Sequence, residues 1–413
     1  GDYNKKKVYG WSNSVYSDSY VYQPKKISEI SKIFEYALKN KKVISVRSAG
    51  NSYSDNTLNS NQIIIDISLL NKIINWNKET GIIKIEGGVN FFQILSLTLL
   101  DGWIPAVMPG SGLVSIAGAI ANNIHGKNSY KEGFICDHII SIKILLPNQE
   151  ILSVSRRDNR ELFFASIHSW GLLGIILEIE LSLKKINSFY LTINKIFSSN
   201  FNELVDHFNI IKKSSDYSIA HLNTINLGNS SGKGILSHAN FDNNFSDITI
   251  DKVPTKFFYL FSYDMIPFLT SFIFKNKKIS SALIGMLYEL KFHKINNIIN
   301  FINQKEKLSK FHFPNNYIFP NYNKIYPYGF FEYQPMIPKD NIKKYYKKFK
   351  IISKKYNLRS FMTSMKAIKY KKDVPLLDNT IDGFTITFDI PRWQKDNKYV
   401  TSFFFELNDL LIE

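Results

Sequence analysis

Hydrophobic and polar residues follow two different spacings in the first fifty positions. Apolar side chains recur every three or four positions from Ile27 to Asn40, which is the spacing of an amphipathic helix, and Ser28 is a candidate for its N-cap. The run Val43–Arg47 then alternates as a strand does and leads into a loop of small residues at 48–52. The sequence therefore predicts a helix, a strand and a tight loop in succession.

The same spacings predict a mixed α and β order over the rest of the first half. Helices are expected from a cap at Asn90 to Leu100, and from Asp158 toward Ser169. Strands are expected over residues 63–67, 73–76, 81–86, 139–146, 151–154 and 174–184. Residues 1–188 are therefore predicted to form one α+β domain.

The amino-acid composition of the sequence changes after about residue 188. Glycines become rare, Asn, Lys and aromatic residues dominate, and a strand candidate at 384–390 stands among helical stretches. We place a second, mixed α/β domain at 189–413. A chain of 413 residues is also longer than one hydrophobic core usually organises. The predicted fold class is therefore a two-domain α+β protein.

Composition narrows the class of protein. With 44% hydrophobic and 15% aromatic residues, the chain is expected to be globular. Its single cysteine, Cys136, cannot form an internal disulfide, and no Cys/His spacing predicts a metal site. No apolar run follows the lysines at the start, so the sequence predicts neither a signal peptide nor a membrane anchor there. We therefore expect a cytoplasmic protein.

A net charge of +17 favours anionic partners. The abundance of Lys together with Asn, Ile, Tyr and Phe is also what an AT-rich genome produces without any binding role. No RNA-binding, helix-turn-helix or zinc-finger pattern accompanies the charge. A basic nucleic-acid-binding protein is therefore the distant alternative, and we expect no nucleic acid partner.

Two segments rich in small residues are candidates for a ligand site. The first, 47–56, follows a strand, and small side chains there let backbone N–H groups approach a phosphate, although an ordinary turn has the same composition. The second, 109–123, has almost no large side chain, so a flat cofactor could lie against its backbone. His125, Gly126 and Lys127 follow shortly after this segment and place an imidazole and a cation beside its surface.

Together these segments resemble the two FAD-binding loops of the vanillyl-alcohol oxidase and p-cresol methylhydroxylase superfamily. The resemblance is strongest to its branch of polyprenylphosphoryl-ribose oxidases, and the string Ile124–Asn128 is its most specific piece. It also covers Gly10-Trp11 and the strings 170–176, 329–334 and 383–391. The resemblance implies a p-cresol-methylhydroxylase-type FAD-binding domain at 1–188 and a substrate-binding cap domain at 189–413.

The resemblance also implies roles for individual residues. His125, Lys127 and Lys366 would be the catalytic residues, facing a sugar and its phosphate. Glu332, Gln334, Thr385 and Thr387 would bind the substrate, with Glu332 where those relatives tend to have Gln and Thr387 where some have Cys. FAD would be held by Gly50, Asn51, Ser52, Tyr53, Pro109, Gly110, Ser111, Val114, Ser115, Ala117, Gly118, Ala121, Asn122, Ile124, Ile175 and Ile176.

The resemblance predicts the state of the cofactor as well. Many superfamily members tether their flavin through a His in the first loop, and this chain has Asn51 at that position. We therefore expect FAD to be bound non-covalently. In those relatives the chain continues beyond the position of Glu413 and returns a lysine to the flavin, so a further segment, or a proton acceptor from elsewhere, is expected here.

The implied reaction is the oxidation of a sugar hydroxyl to a ketone. A lipid-linked sugar phosphate is the expected substrate, in cell wall biosynthesis, and an NAD-dependent keto-reductase is the expected partner. A soluble sugar lactone or alditol is the alternative substrate, although oxidases of those compounds commonly carry the tethering His. The apolar run 257–274 with its following lysines to 278 suits either a peripheral contact at the inner membrane surface or a buried helix.

Overall fold

Three β-sheets organise the chain. The computed structural model describes residues 5–228, 231–242, 275–296, 303–317, 322–371, 375–377, 380–393 and 398–412. Part of the predicted membrane segment, 257–274, lies outside these residues.

The first sheet has four strands in the order β1-β2-β4-β3. They are β1 Lys5–Tyr9, β2 Tyr16–Tyr22, β3 Ile44–Arg47 and β4 Ile63–Asp66. The central strand β4 is parallel to both neighbours, and its three isoleucines are wholly buried, as expected where both faces of a parallel strand are covered. The helix Ile27–Lys39 makes the crossover between β2 and β3.

The second sheet runs in the order β5-β6-β10-β8-β9, and β7 pairs with the far end of β10. Its strands are β5 Ile73–Asn77, β6 Ile82–Glu86, β7 Trp103–Pro105, β8 Ile139–Leu145, β9 Ile151–Ser155 and β10 Ile175–Lys185. The predicted strands at these positions are confirmed to within one or two residues. Apolar residues on its inner face and those of the first sheet share one hydrophobic core.

The third sheet follows the order β14-β11-β13-β12-β17-β18-β15, with β16 also on β18. Its strands are β11 Tyr190–Ser198, β12 Tyr217–Leu222, β13 Gly234–Phe241, β14 Gln304–Lys307, β15 Phe330–Tyr333, β16 Met336–Pro338, β17 Met362–Ile368 and β18 Gly383–Pro391. The change of sheet falls between Lys185 and Tyr190, where we predict the domain boundary.

Helices cover the outer faces of these sheets. In the part of the chain that is described they are Ile27–Lys39, Phe91–Thr98, Ile116–Ala121, Ser129–Glu132, Arg160–Ser166, Phe201–Ser214, Lys277–Asn296, Leu308–His312, Pro314–Tyr317, Ile342–Lys355 and Lys398–Ile412. None of the helices described has the length and apolarity that crossing a bilayer requires.

The predicted caps had different outcomes. Asn90 is confirmed, because its side chain accepts from the Gln93 N–H at 2.9 Å while the Gln93 side chain accepts from the Asn90 N–H at 3.0 Å. The prediction of Ser28 as an N-cap was wrong, because the helix begins at Ile27 and Ser28 lies inside it. The N-cap residue is Lys26, whose side chain makes no capping hydrogen bond. The helix expected from Asp158 begins at 160 and ends at 166.

A short segment from the second half returns to the first core. The side chains of Leu308, Phe311 and Phe313 are buried in that core, and the ring of Phe313 lies 5.0 Å from that of Phe92. The hydrophobic core of the first two sheets therefore includes side chains from the second half of the chain.

Candidate active site

A cavity of about 590 Å³ lies where the three sheets meet. One side is formed by the two segments of small residues, and the other by β15, β17 and β18. Residues more than 300 positions apart in sequence thus face the same enclosed space. This volume is in the range of small-molecule and cofactor sites.

The loop after β3 forms one wall of the cavity. Gly50 has a φ of +70°, a backbone conformation that residues with a Cβ rarely adopt, so glycine is favoured at this turn. The Asn51 amide donates to the carbonyl oxygens of Ala49 at 3.3 Å and Leu113 at 3.2 Å. The side chain at the tethering position therefore links the two loops.

The helix Ile116–Ala121 forms the facing wall. Gly118, Ala121 and Asn122, three and four residues apart, are partly exposed and line the cavity, while the apolar positions between them enter the core. A Cβ at Gly118 would meet only the Ser115 Oγ, at 3.0 Å. This wall is flat because its side chains are small.

Among the buried polar atoms of cavity-lining residues that have no hydrogen-bond partner in the described structure are Ser48 Oγ, Asn56 Oδ1 and Asn123 Nδ2. Buried polar groups are normally paired, so these atoms indicate a polar ligand. A flat wall next to unpaired donors and acceptors fits the ring system and diphosphate of FAD.

Most of the predicted cofactor residues lie on this cavity. Those that line it are Gly50, Asn51, Ser52, Tyr53, Pro109, Gly110, Val114, Ser115, Ala117, Gly118, Ala121, Asn122, Ile124 and Ile176. Ile175 does not, because successive side chains of β10 alternate and Ile175 is 1% exposed in the core on the other side. Ser111 does not either, since its Oγ accepts from the Leu113 N–H within its own loop.

Three of the predicted polar side chains meet at the other end of the cavity. The Gln334 amide nitrogen lies 3.0 Å from His125 Nε2, and Lys366 Nζ lies 3.5 Å from His125 Nδ1. Burial and the Lys366 charge hold the pKa of His125 well below its usual range, so the imidazole is neutral. Burial also lowers the pKa of Lys366 to about 8.

Lys127 is placed differently from the prediction. Its side chain borders the cavity, but Nζ donates to the carbonyl oxygens of Phe311 and His312, the latter at 3.1 Å, and lies 4.7 Å from the centre of the Phe311 ring. These carbonyls end a short helix and attract a cation. Burial lowers the pKa of Lys127 to about 7. Lys127 thus ties the 308–312 helix to the cavity wall rather than pointing freely into it.

Three of the four predicted substrate residues lie on the cavity and one does not. Glu332, Gln334 and Thr387 line the cavity, whereas Thr385 does not. Thr385 is 1% exposed because Lys366 and Met336 flank it on the two neighbouring strands.

A pair of carboxyl groups lies next to this polar cluster. Glu332 on β15 is directly opposite Asp389 on β18, and both line the cavity. The Tyr322 hydroxyl donates to Asp389 Oδ2 at 2.7 Å. Burial raises the pKa of Glu332 to about 7, against the opposing effect of Lys366, and burial together with the Glu332 charge raises the pKa of Asp389. The pair therefore holds a proton near neutral pH.

Several cavity residues were missed from sequence. Asp389 lies two positions after Thr387 on the same strand, so the alternation of strand side chains could have found it. Trp170 and Gly171 belong to a string that carries the resemblance but were not assigned a role. Pro314 and Asn315 reach the cavity only because the 308–317 segment folds back, and no local signal marks them.

Comparison with known proteins agrees with this arrangement. An FAD binding domain family matches residues 19–155, which contain both loops. The chain is 26% identical over 361 residues to the decaprenylphosphoryl-beta-D-ribose oxidase of Mycolicibacterium smegmatis, covering 86% of this chain and 76% of that protein.

Two further relatives match a smaller share. A putative D-arabinono-1,4-lactone oxidase of Neurospora crassa is 32% identical over 43% of this chain and 31% of its own length. The L-gulonolactone oxidase of Mus musculus is 23% identical over 52% of this chain and 46% of its own length. The chain carries an FAD binding domain and is an FAD-dependent oxidoreductase.

In this flavoprotein the two loops would hold the diphosphate and ring system. Bound FAD supplies a two-electron acceptor. The protein's own contribution is the flat wall at Gly118, the unpaired polar atoms and the cluster around His125, which would orient a substrate hydroxyl at the far end. In the described part of this oxidoreductase, no group of three His, Cys, Asp or Glu side chains could hold a metal ion.

The attachment of FAD can be tested directly. Because Asn51 offers an amide and not an imidazole next to the cavity, we expect acid precipitation to release all of the flavin into the supernatant. The measurement is the visible absorbance of the washed pellet. A pellet that remains yellow after washing would show a covalent bond and contradict the prediction.

Proposed function

We propose that this protein oxidises the C2 hydroxyl of a polyprenylphosphoryl-ribose to a ketone, during synthesis of the arabinose donor for cell-envelope polysaccharide. The observation that carries the proposal is the polar cluster of His125, Gln334 and Lys366 at the far end of the FAD cavity. The mycobacterial relative named as an oxidase of decaprenylphosphoryl-ribose is similar over 86% of this chain.

Lys366 suits the phosphate of such a substrate. A buried ammonium group attracts an anion strongly, because little water screens the interaction. Below about pH 8 Lys366 carries this charge. Lys366 lies beside the neutral His125, and the nearby Glu332 carboxyl favours its charged form.

His125, Gln334 and Thr387 suit the sugar. A neutral imidazole, an amide and a hydroxyl each both donate and accept hydrogen bonds, as pairs of sugar hydroxyls require. All three line the same end of the cavity. They would orient one hydroxyl-bearing carbon toward the flavin, which is the main requirement for oxidation.

The reaction class determines the proposed partners. A 2-keto sugar must be reduced again at the same carbon to complete an epimerisation, so we assign the next step to an NAD-dependent keto-reductase. A lipid-linked substrate also needs access from a membrane. We assign that role to residues 257–278, at the cytoplasmic face of the inner membrane, and most of this segment lies outside the described residues.

A soluble sugar lactone or alditol is the second candidate substrate. The fungal and mouse relatives are named as lactone oxidases. Their similarity extends over 43% and 52% of this chain, against 86% for the mycobacterial relative, and this difference favours the lipid-linked sugar.

The test is flavin reduction without oxygen. We expect the absorption of the FAD-loaded protein to bleach on addition of a short-chain polyprenylphosphoryl-ribose and to stay unchanged with the matching 2-deoxyribose compound, which lacks the hydroxyl to be oxidised. Bleaching by a soluble lactone or alditol, and not by the lipid-linked ribose, would instead support the second candidate.

A further inference from the structure

A pair of carboxyl groups, with Asp389 buried and Glu332 half-buried, lines the same cavity as His125 and Lys366. Glu332 and Asp389 face each other from adjacent strands and both border the cavity. We propose that Glu332, paired with Asp389, accepts the proton of the substrate hydroxyl during oxidation. This inference rests on the proposed function, because it assigns the proton acceptor for that reaction.

Glu332 and Asp389 together carry one proton and can accept a second. Two carboxylates on neighbouring strands repel each other, so one of them is neutral at pH 7. Tyr322 donates to Asp389 Oδ2, whereas Asp389 Oδ1 has no hydrogen-bond partner among the described residues. The raised pKa of Glu332 and of Asp389 agrees with a shared proton. The singly protonated pair can therefore take up one more proton without placing a new charge in the core.

The neighbouring groups are poorer acceptors. His125 is the poorer acceptor because burial and the Lys366 charge, 3.5 Å from Nδ1, oppose formation of an imidazolium. Lys127 is bound to two backbone carbonyls. Protonating Glu332 removes a negative charge, whereas protonating His125 adds a positive one beside Lys366.

The step balances as follows. The substrate O–H bond breaks and its proton passes to the Glu332 carboxylate, while the electron pair of that bond forms the carbonyl. Bound FAD would supply the two-electron acceptor for the hydride that leaves the same carbon, so the C–H electron pair is accounted for. The substrate loses two electrons and two hydrogens, and the pair keeps one of the protons until product leaves.

Other groups that face the pair set the pH range. Tyr53 and Tyr322 have raised pKa values because they are buried near the carboxyl groups, so they remain neutral. Lys366 loses its proton above about pH 8. Because a base must be unprotonated to act, flavin reduction should rise with pH through about 7 and fall when Lys366 becomes neutral.

The experiment compares wild type with Glu332→Gln in the FAD-loaded form. We expect the variant to bind the lipid-linked ribose with unchanged affinity, to reduce its flavin about 10²–10⁴-fold more slowly and to lose the rising limb of the pH profile. Glu406→Gln, on an outer helix and paired with Lys355, is the matched control and should behave as wild type. A Glu332→Gln variant with wild-type rate and pH profile would overturn the proposal.

A second measurement needs neither substrate nor turnover. In an infrared titration of the FAD-loaded wild type, a buried carboxyl band should titrate near pH 7 and be absent from Glu332→Gln. A wild type without such a band overturns the proposal even if the variant fails to fold. If lipid-linked ribose leaves the wild-type flavin oxidised, the proposed function fails instead. The variants are then compared with whichever alcohol reduces the flavin, and equal rates overturn the role of Glu332.

Discussion

Replacing Gly118 by phenylalanine is expected to abolish FAD binding while the protein stays folded. The helix Ile116–Ala121 turns Gly118 toward the cavity, and a Cβ there meets only the Ser115 hydroxyl at 3.0 Å. The rest of a phenylalanine side chain would occupy the space next to this flat wall. Overpacking costs about 1–3 kcal/mol, and lost cofactor contacts add to it, so the Kd for FAD should rise at least about 100-fold.

The measurement is a fluorescence titration of the flavin-free protein with FAD, together with its circular dichroism spectrum. Gly118→Ala is the matched control, because its single methyl group needs only a rotation of the Ser115 hydroxyl. That control should keep FAD affinity within about threefold, since its overpacking is at the low end of the range. A Gly118→Phe protein that binds FAD as wild type does would show that the cofactor lies elsewhere.

Replacing Lys366 by methionine is expected to weaken binding of a phosphorylated sugar about 100-fold. Lys366 is the half-buried cation beside His125. Removing one member of a fully buried charge pair costs about 2–5 kcal/mol, so we expect a loss at the lower end of this range. The loss should depend on pH in a definite direction. Because the pKa of Lys366 is lowered to about 8, wild type loses its charge and its affinity as the pH rises through that value. The affinity of the variant should not change over this range.

The measurement is calorimetric titration of the FAD-loaded proteins with a phosphoribose analogue on both sides of pH 8. Lys369→Met provides the control, since Lys369 is an exposed lysine three residues along the same segment. Equal affinity of Lys366→Met and wild type at neutral pH would remove Lys366 from the phosphate site.

Much of the fold could be predicted from spacing alone. Strands such as Ile63–Asp66 and Gly383–Pro391 are short apolar or alternating runs bounded by turn residues, and this pattern is local. The strand Lys5–Tyr9 was not predicted, because all five of its residues are partly or fully exposed and it pairs with only one neighbour. Its hydrogen bonds come from a partner strand that the local pattern does not reveal.

The site was predictable where its signal was local. The small residues of 109–123 identified the cofactor wall because composition alone makes it flat. The position of Lys127 was not predictable, since it depends on carbonyl groups 184 and 185 residues away. The pairing of Glu332 with Asp389 depends on strand register in the same way, and register follows from the whole sheet rather than from either segment.

The returning segment at 308–317 joins the two halves of the chain at the cavity. Asn316 accepts a hydrogen bond from the backbone N–H of Gly112 at 2.9 Å, in the second FAD loop, and Lys127 is bonded to the carbonyls at 311 and 312. A polypeptide that stopped near residue 188 would leave this loop without its support and the first core without eight of its buried side chains. The first half of the chain is therefore not expected to fold as an autonomous module that could be exchanged between enzymes, because its second loop of small residues is supported by the second half.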